Sequence, residues 1–216
     1  MAVSKTHPAS VILEAVAAGL TLFGENRVQE YQQKSLELAG ELAGELAGRD
    51  IRVHLIGKLQ SNKSAKAAEI FSGIDSLDSL RLAQRLNEAA GRLERKLPVL
   101  LEIKLSHEES KSGLTPDSDE LAELLERLPD LPHLHLRGLM TVPPWSEDPE
   151  PARPYFAELR RLRDRLAGKY ARLDFSQLSM GMSGDFEVAI EEGSTCVRIG
   201  TALFGKRSYP ATPEEA

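Results

Sequence analysis

The feature that most limits what this chain can become is a regular alternation. Eight short apolar, β-like runs recur along it, with helical stretches between them. The runs are AVS (2–4), TLFG (21–24), VHLIG (53–57), GIDSL (73–77), PVLLEIKLS (98–106), LHLRGLM (134–140), FSQLSMG (175–181) and CVRIGT (196–201). Among the intervening segments, PASVILEAVAAGL has proline in its first turn and a glycine stop. SLRLAQRLNEAAGRLER spaces its apolar residues three and four apart, and DSDELAELLERL opens acidic and ends before Pro129. Parallel strands need helical crossovers, so eight such units predict an α/β fold, a TIM-type (β/α)8 barrel over residues 1–207 with a tail at 208–216. An open doubly wound sheet is the alternative.

The count is one helix short. Seven helical stretches separate eight strands, and neither Met1 nor the segment after Cys196 offers a full outer helix. The expectation is a barrel lacking its N-terminal outer helix, with either a preceding helix missing or a partner covering the gap. The stretch ELAGELAGELAG (37–48) repeats every four residues. Leu38, Leu42 and Leu46 therefore drift slowly around one helix face, and each glycine costs about 1 kcal/mol against alanine. It reads as a frayed helix end, without chemistry.

Length and charge narrow the function classes. At 216 residues the chain suits one α/β domain, and its net charge of -6 argues against general nucleic-acid binding. No apolar run is long enough to span a bilayer and no signal-peptide pattern opens the chain, so a cytoplasmic protein is expected. The single cysteine, Cys196, allows no internal disulfide and no cysteine metal site. His7, His54, His107, His133 and His135 show no ligand spacing beyond a weak HLH pair, so no metal is expected.

Chemistry in a parallel barrel sits at the C-terminal strand ends. Lys5 follows the first strand, Asn26 the second, and His54 belongs to HLIGKLQSNK at the third. SMGMSGD and RIGTALFG end the last two units, the usual phosphate-binding place of such barrels, and offer Ser179, Ser183, Gly200 and Thr201. Period-two alternation turns Val197 and Ile199 outward and Arg198, with Cys196, inward. An inward arginine needs an anion or an acceptor; a structural pairing with Glu102 weighs equally. An inward Lys5 is expected to lose part of its charge through desolvation and become a nucleophile toward aldehydes. A snorkelling or salt-bridged lysine is the alternative. Lysine, phosphate loops and arginine together suit an aldehyde that carries a phosphate and a ring acceptor, and pyridoxal 5′-phosphate (PLP) is the natural candidate.

The ordered set AVSKTHP, FGENRVQE, HLIGKLQSNK, SKSG, RGLMT and LSMGMSGDFEVAIEEGSTCVRIGTALFG resembles the pyridoxal phosphate homeostasis protein family, from the first residues to about Arg207. The resemblance implies a barrel similar to the N-terminal domain of alanine racemase. It implies that Lys5 holds PLP as a Schiff base, that Ser183, Gly200 and Thr201 hold the phosphate, and that Arg198 faces the pyridine nitrogen. It implies further that Asn26, His54, Ser179 and Met180 line the pocket, and that Lys111 of SKSG lies near it. Three departures stand out: the helix before the lysine strand is lacking, His7 occupies the place of a second lysine found in some relatives, and the ELAG repeat is expanded.

Alanine racemase adds a β-rich domain and a tyrosine base. Tyr31, Tyr155, Tyr170 and Tyr209 all fall in helices or the tail, so two-base racemisation lacks its second base. The expected function is intracellular buffering and delivery of PLP without robust catalysis, with no catalytic residue assigned; a weak PLP-dependent amino-acid racemase is the alternative. Expected partners are PLP and PLP-dependent apo-enzymes, with no nucleic acid and no membrane. A monomer is expected, with a dimer as the alternative. Trp145, in the proline-rich VPPWSEDPEP, reads as surface packing.

Overall fold

All eight expected strands form, and they run parallel, in chain order, in one sheet. The computed structural model describes residues 1–42, 49–106 and 112–205. The strands are β1 (Ala2–Val3), β2 (Leu22–Glu25), β3 (Arg52–Leu55), β4 (Gly73–Leu77), β5 (Leu97–Glu102), β6 (Leu134–Met140), β7 (Gln177–Met182) and β8 (Cys196–Arg198). Between them lie α1 (Ala9–Ala17), α2 (Val28–Leu42), α3 (Ser64–Ile70), α4 (Leu80–Arg92), α5 (Asp119–Arg127), α6 (Arg153–Lys169) and α7 (Phe186–Glu191), and α8 (Thr201–Phe204) follows β8.

The sheet closes on itself. Ala2 bridges Ile199, the Val3 N–H donates to the Ile199 carbonyl at 2.8 Å, and the Ile199 N–H donates to the Met1 carbonyl at 3.0 Å. The Met1 ammonium adds a bond to the Val197 carbonyl at 3.0 Å. Closure leaves no free sheet edge, which would otherwise expose unpaired backbone groups.

Sequence explains the outer layer. Ser79 caps α4 by accepting from the Leu82 N–H at 3.4 Å, and Ser118 caps α5 by accepting from the Leu121 N–H at 3.2 Å. Such caps contribute about 1 kcal/mol each. The apolar faces of these helices (Leu82 and Leu86; Leu121, Leu124 and Leu125) join Phe23, Val53, Leu55, Ile74, Val99 and Leu101 of the strands in one buried cluster. Each such side chain contributes about 1.5–3 kcal/mol through burial.

Three details bear on the sequence reading. Strand β1 stops at Val3, so Lys5 lies in the turn after the strand, half-buried, and not on a strand face. The outer element after β8 is a single turn of four residues, α8. The predicted tail at 208–216, Lys111, His107, Tyr209 and residues 43–48 of the ELAG repeat lie outside the described residues. Among the described residues no helix is long and apolar enough to cross a membrane, and no group of three His, Cys, Asp or Glu side chains is placed to hold a metal ion.

Candidate functional site

A cleft of about 580 Å³ opens at the C-terminal ends of the strands. Five of the residues singled out from the sequence line it: Lys5, Ser183, Arg198, Gly200 and Thr201. They come from three separate stretches of chain, and barrel closure between β8 and β1 is what brings them together.

The wall formed by β7 and β8 is built on a kink. Gly181 has φ +93°, and a Cβ added there would lie 2.5 Å from the Ala189 Cβ, so only glycine fits. The register between β7 and β8 shifts across this point, between Ser179 and Met182. Asp185 Oδ1 then accepts from the Met182 N–H at 2.6 Å and closes the turn. Ser183 follows, and its Oγ accepts from the N–H groups of Gly200 and Ala202, both at 3.3 Å. Backbone donors of the last loop thus converge on one corner of the cleft, the geometry that suits an anion.

Arg198 forms the floor of that wall. It is 4% exposed, and its guanidinium donates to Ser179 Oγ and to the Thr141 carbonyl, both at 2.8 Å. Burial pulls its pKa down, while the charges of Asp75, Asp185 and Glu102 act the other way. Arginine keeps its proton in such surroundings, so the cleft contains a fixed cation. The expected alternatives, anion site or pairing with Glu102, resolve into hydrogen bonds to a hydroxyl and a carbonyl that aim the cation; Glu102 acts on it through charge alone among the described contacts.

The other sequence-selected residues stand off the cleft wall. Ser179 is fully buried behind Arg198. Met180 is fully buried in the hydrophobic cluster, and Met182 reaches the cleft, because the kink at Gly181 breaks period-two alternation. His54 Nδ1 pairs with Asp75 Oδ1 at 2.9 Å, its ring lying over Gly73. Asn26 is half-buried, with its backbone packed on Gly57.

Sequence reasoning passed over several contributors. Thr141 supplies an acceptor to Arg198, Asp75 holds His54, and Pro144 and Asp148 of the β6–α6 loop line the cleft rim; Trp145, read from the sequence as surface packing, lines it with them. Two further carboxyls, Glu102 and Asp78, lie at the ends of β5 and β4, outside the cleft lining. Burial raises the pKa of Glu102, and the Asp78 charge adds to the rise; Ser112, which donates to both Glu102 oxygens at 3.3 Å, opposes it, with Arg198 and Lys58. Burial likewise raises Asp78. Cys196 is also pushed up by burial, which keeps it a thiol of low reactivity.

The comparisons with known proteins point one way. The family described as alanine racemase, N-terminal domain, matches residues 1–208. A pyridoxal phosphate homeostasis protein of Aquifex aeolicus is 45% identical over 206 residues, 95% of this chain and 86% of that one. The structure of PipY of Synechococcus elongatus with PLP bound superposes with a TM-score of 0.82 at 42% identity, covering 95% of this chain and 91% of PipY. PipY without PLP gives 0.83 at the same identity, over 94% and 91%.

Proposed function

This chain belongs to the family of pyridoxal phosphate homeostasis proteins, built on the alanine racemase N-terminal-domain fold, and on that premise we propose that it binds PLP and buffers or delivers it within the cell, without robust catalysis of its own. Lys5 carries the cofactor as a Schiff base. Ser183, Gly200 and Thr201 hold its phosphate, and Arg198 faces the pyridine nitrogen. Ser179 acts through Arg198, while Asn26, His54 and Met180 shape the surroundings of the pocket. PLP-dependent apo-enzymes are the recipients, and the compartment is the cytoplasm.

One observation carries this reading. A lysine amine, a buried guanidinium and converging backbone donors share a single cleft. That donor set matches an aldehyde, a ring nitrogen and a phosphate on one small molecule. When bound, PLP supplies the aldehyde for an imine and a ring able to accept electrons. A fixed cation opposite the ring nitrogen disfavours protonating it and weakens the ring as an electron sink, which suits storage better than carbanion chemistry. Among the described residues no tyrosine lines the cleft. Tyr31 is packed on Phe71, and burial, aided by Glu25, pushes its pKa up to about 12.

Titration of purified protein with PLP, borohydride reduction and mapping of the labelled lysine test the reading. The expected result is a visible Schiff-base band and label on Lys5. Label confined to another residue overturns the assignment. The alternative of a weak racemase draws on one observation, the half-buried Glu102 carboxyl, whose charge acts on Arg198. Turnover of a panel of chiral amino acids at ordinary enzyme rates would establish it.

A further inference from the structure

The turn that presents Lys5 is strained. Thr6 has φ +68°, a left-handed backbone that a β-branched residue avoids. Such a conformation persists only where its surroundings over-determine it. Glycine would adopt the same turn without strain, so something other than local preference holds it.

The holding groups come from α2 and β2. Lys34, 7% exposed, donates to the Ser4 carbonyl at 3.0 Å, to Glu25 Oε1 at 2.9 Å and to Glu30 Oε1 at 2.7 Å. All three donors of its ammonium are therefore used. Glu30 Oε1 also accepts from the Thr6 N–H. Ser4 Oγ donates to Glu25 Oε1 at 2.7 Å. The carbonyl just before Lys5 and the N–H just after it are thus both tied to one lysine–carboxylate cluster. Ser4 and Glu25 are fully buried, so these are charge-assisted bonds in a medium of low dielectric. The two peptide groups that flank residue 5 fix its Cα, and with it the point from which the Lys5 side chain enters the cleft.

We infer that Glu30 and Lys34 are positioning residues for Lys5, holding the 4–6 turn in its strained form so that the amine stands in the cleft before a ligand arrives. The inference rests on the proposed function for what the amine then meets. Neither residue touches the ligand; both act through the backbone on either side of Lys5. The sequence places them 25 and 29 positions away, and only the pairing of β1 with β2 brings α2 beneath the turn.

Glu30→Ala is the informative change, because its side chain is partly exposed and the fold tolerates its loss better than a change at Lys34, whose removal strands the buried Glu25. In ligand-free protein the Thr6 amide of Glu30→Ala should exchange with solvent at least about tenfold faster, since the bond lost has an ionised acceptor. PLP should bind about tenfold more weakly, with borohydride label spread from Lys5 to other lysines, at a melting temperature close to the unmodified protein's. Glu30→Gln keeps an acceptor oxygen for the Thr6 N–H and should restore most of the affinity and the label. If Glu30→Ala leaves Thr6 exchange, PLP affinity and label distribution unchanged, the inference is overturned. If the unmodified protein takes no label on Lys5, the proposed function fails instead, and the exchange rate at Thr6 still decides whether Glu30 holds the turn.

Discussion

The two sides of the barrel mouth are held by opposite means. On the β7–β8 side, Ser179 and Thr141 hold the Arg198 guanidinium, and the N–H groups of Gly200 and Ala202 are gathered on Ser183 Oγ, so that Arg198, Ser183 and Gly200 line the cleft in fixed places. On the β4–β5 side, Asp78 and Glu102 are carboxyls whose burial raises their pKa, and among the described residues Glu102 accepts two long contacts from Ser112. The first side lines the cleft and gives it a cation and donors; the carboxyls of the second stand outside its lining. A small ligand carrying a phosphate at one end therefore meets a cleft with a built-in direction, and Lys5, beside β8, sits at the receiving side.

Removing the proposed anchor, Lys5, should have the largest effect. Lys5→Ala is expected to abolish the borohydride-stable adduct and weaken PLP binding about a hundredfold or more, read by mass spectrometry and equilibrium titration. Retained tight binding would mean that the receiving wall holds the ligand without a covalent bond. Next comes the kink on which that wall is built. Gly181→Ala combines a positive φ with a clash against Ala189, and urea unfolding should show a loss of about 2–4 kcal/mol. Ser183→Ala tests the donor corner directly. It should weaken PLP binding about fivefold and inorganic phosphate binding similarly, with little change in melting temperature.

The smallest effect probes the β4–β5 side. Glu102 has a folded pKa above its ordinary 4.5, so its contribution to stability is present below that value and lost as pH rises through the folded one. Glu102→Gln removes this loss. Its melting temperature relative to the unmodified protein should therefore climb as pH rises above about 4.5. A difference that stays flat with pH would show that burial does not raise the Glu102 carboxyl.

Much of this was legible in the sequence because barrels repeat a simple unit. Each strand candidate lay within a few residues of an observed strand, and Ser183, Gly200, Thr201, Arg198 and Lys5 could be placed at strand ends by counting alone. What stayed hidden depends on backbone departures from the ideal. The family resemblance implied that Met180 lines the pocket, but Met180 lies in the core and, past the kink at Gly181, Met182 reaches the cleft. A glycine inside a strand was the available signal. Thr6 gave no sign of a left-handed backbone, since threonine disfavours it, and the cause lies in Glu30 and Lys34, which sequence shows only as polar positions of an amphipathic helix. Asp75, Asp78 and Thr141 were passed over because strand-end polar residues are common and their partners come from neighbouring strands.

Trp145 carries a practical consequence. It is the chain's one tryptophan, it is 81% exposed, and it lines the cleft rim. A water-exposed indole emits at long wavelength, in the region where a pyridoxyl chromophore absorbs. The same rim residue is therefore a built-in optical gauge: its fluorescence should dim in proportion to the fraction of molecules that hold PLP, and brighten as the PLP is withdrawn.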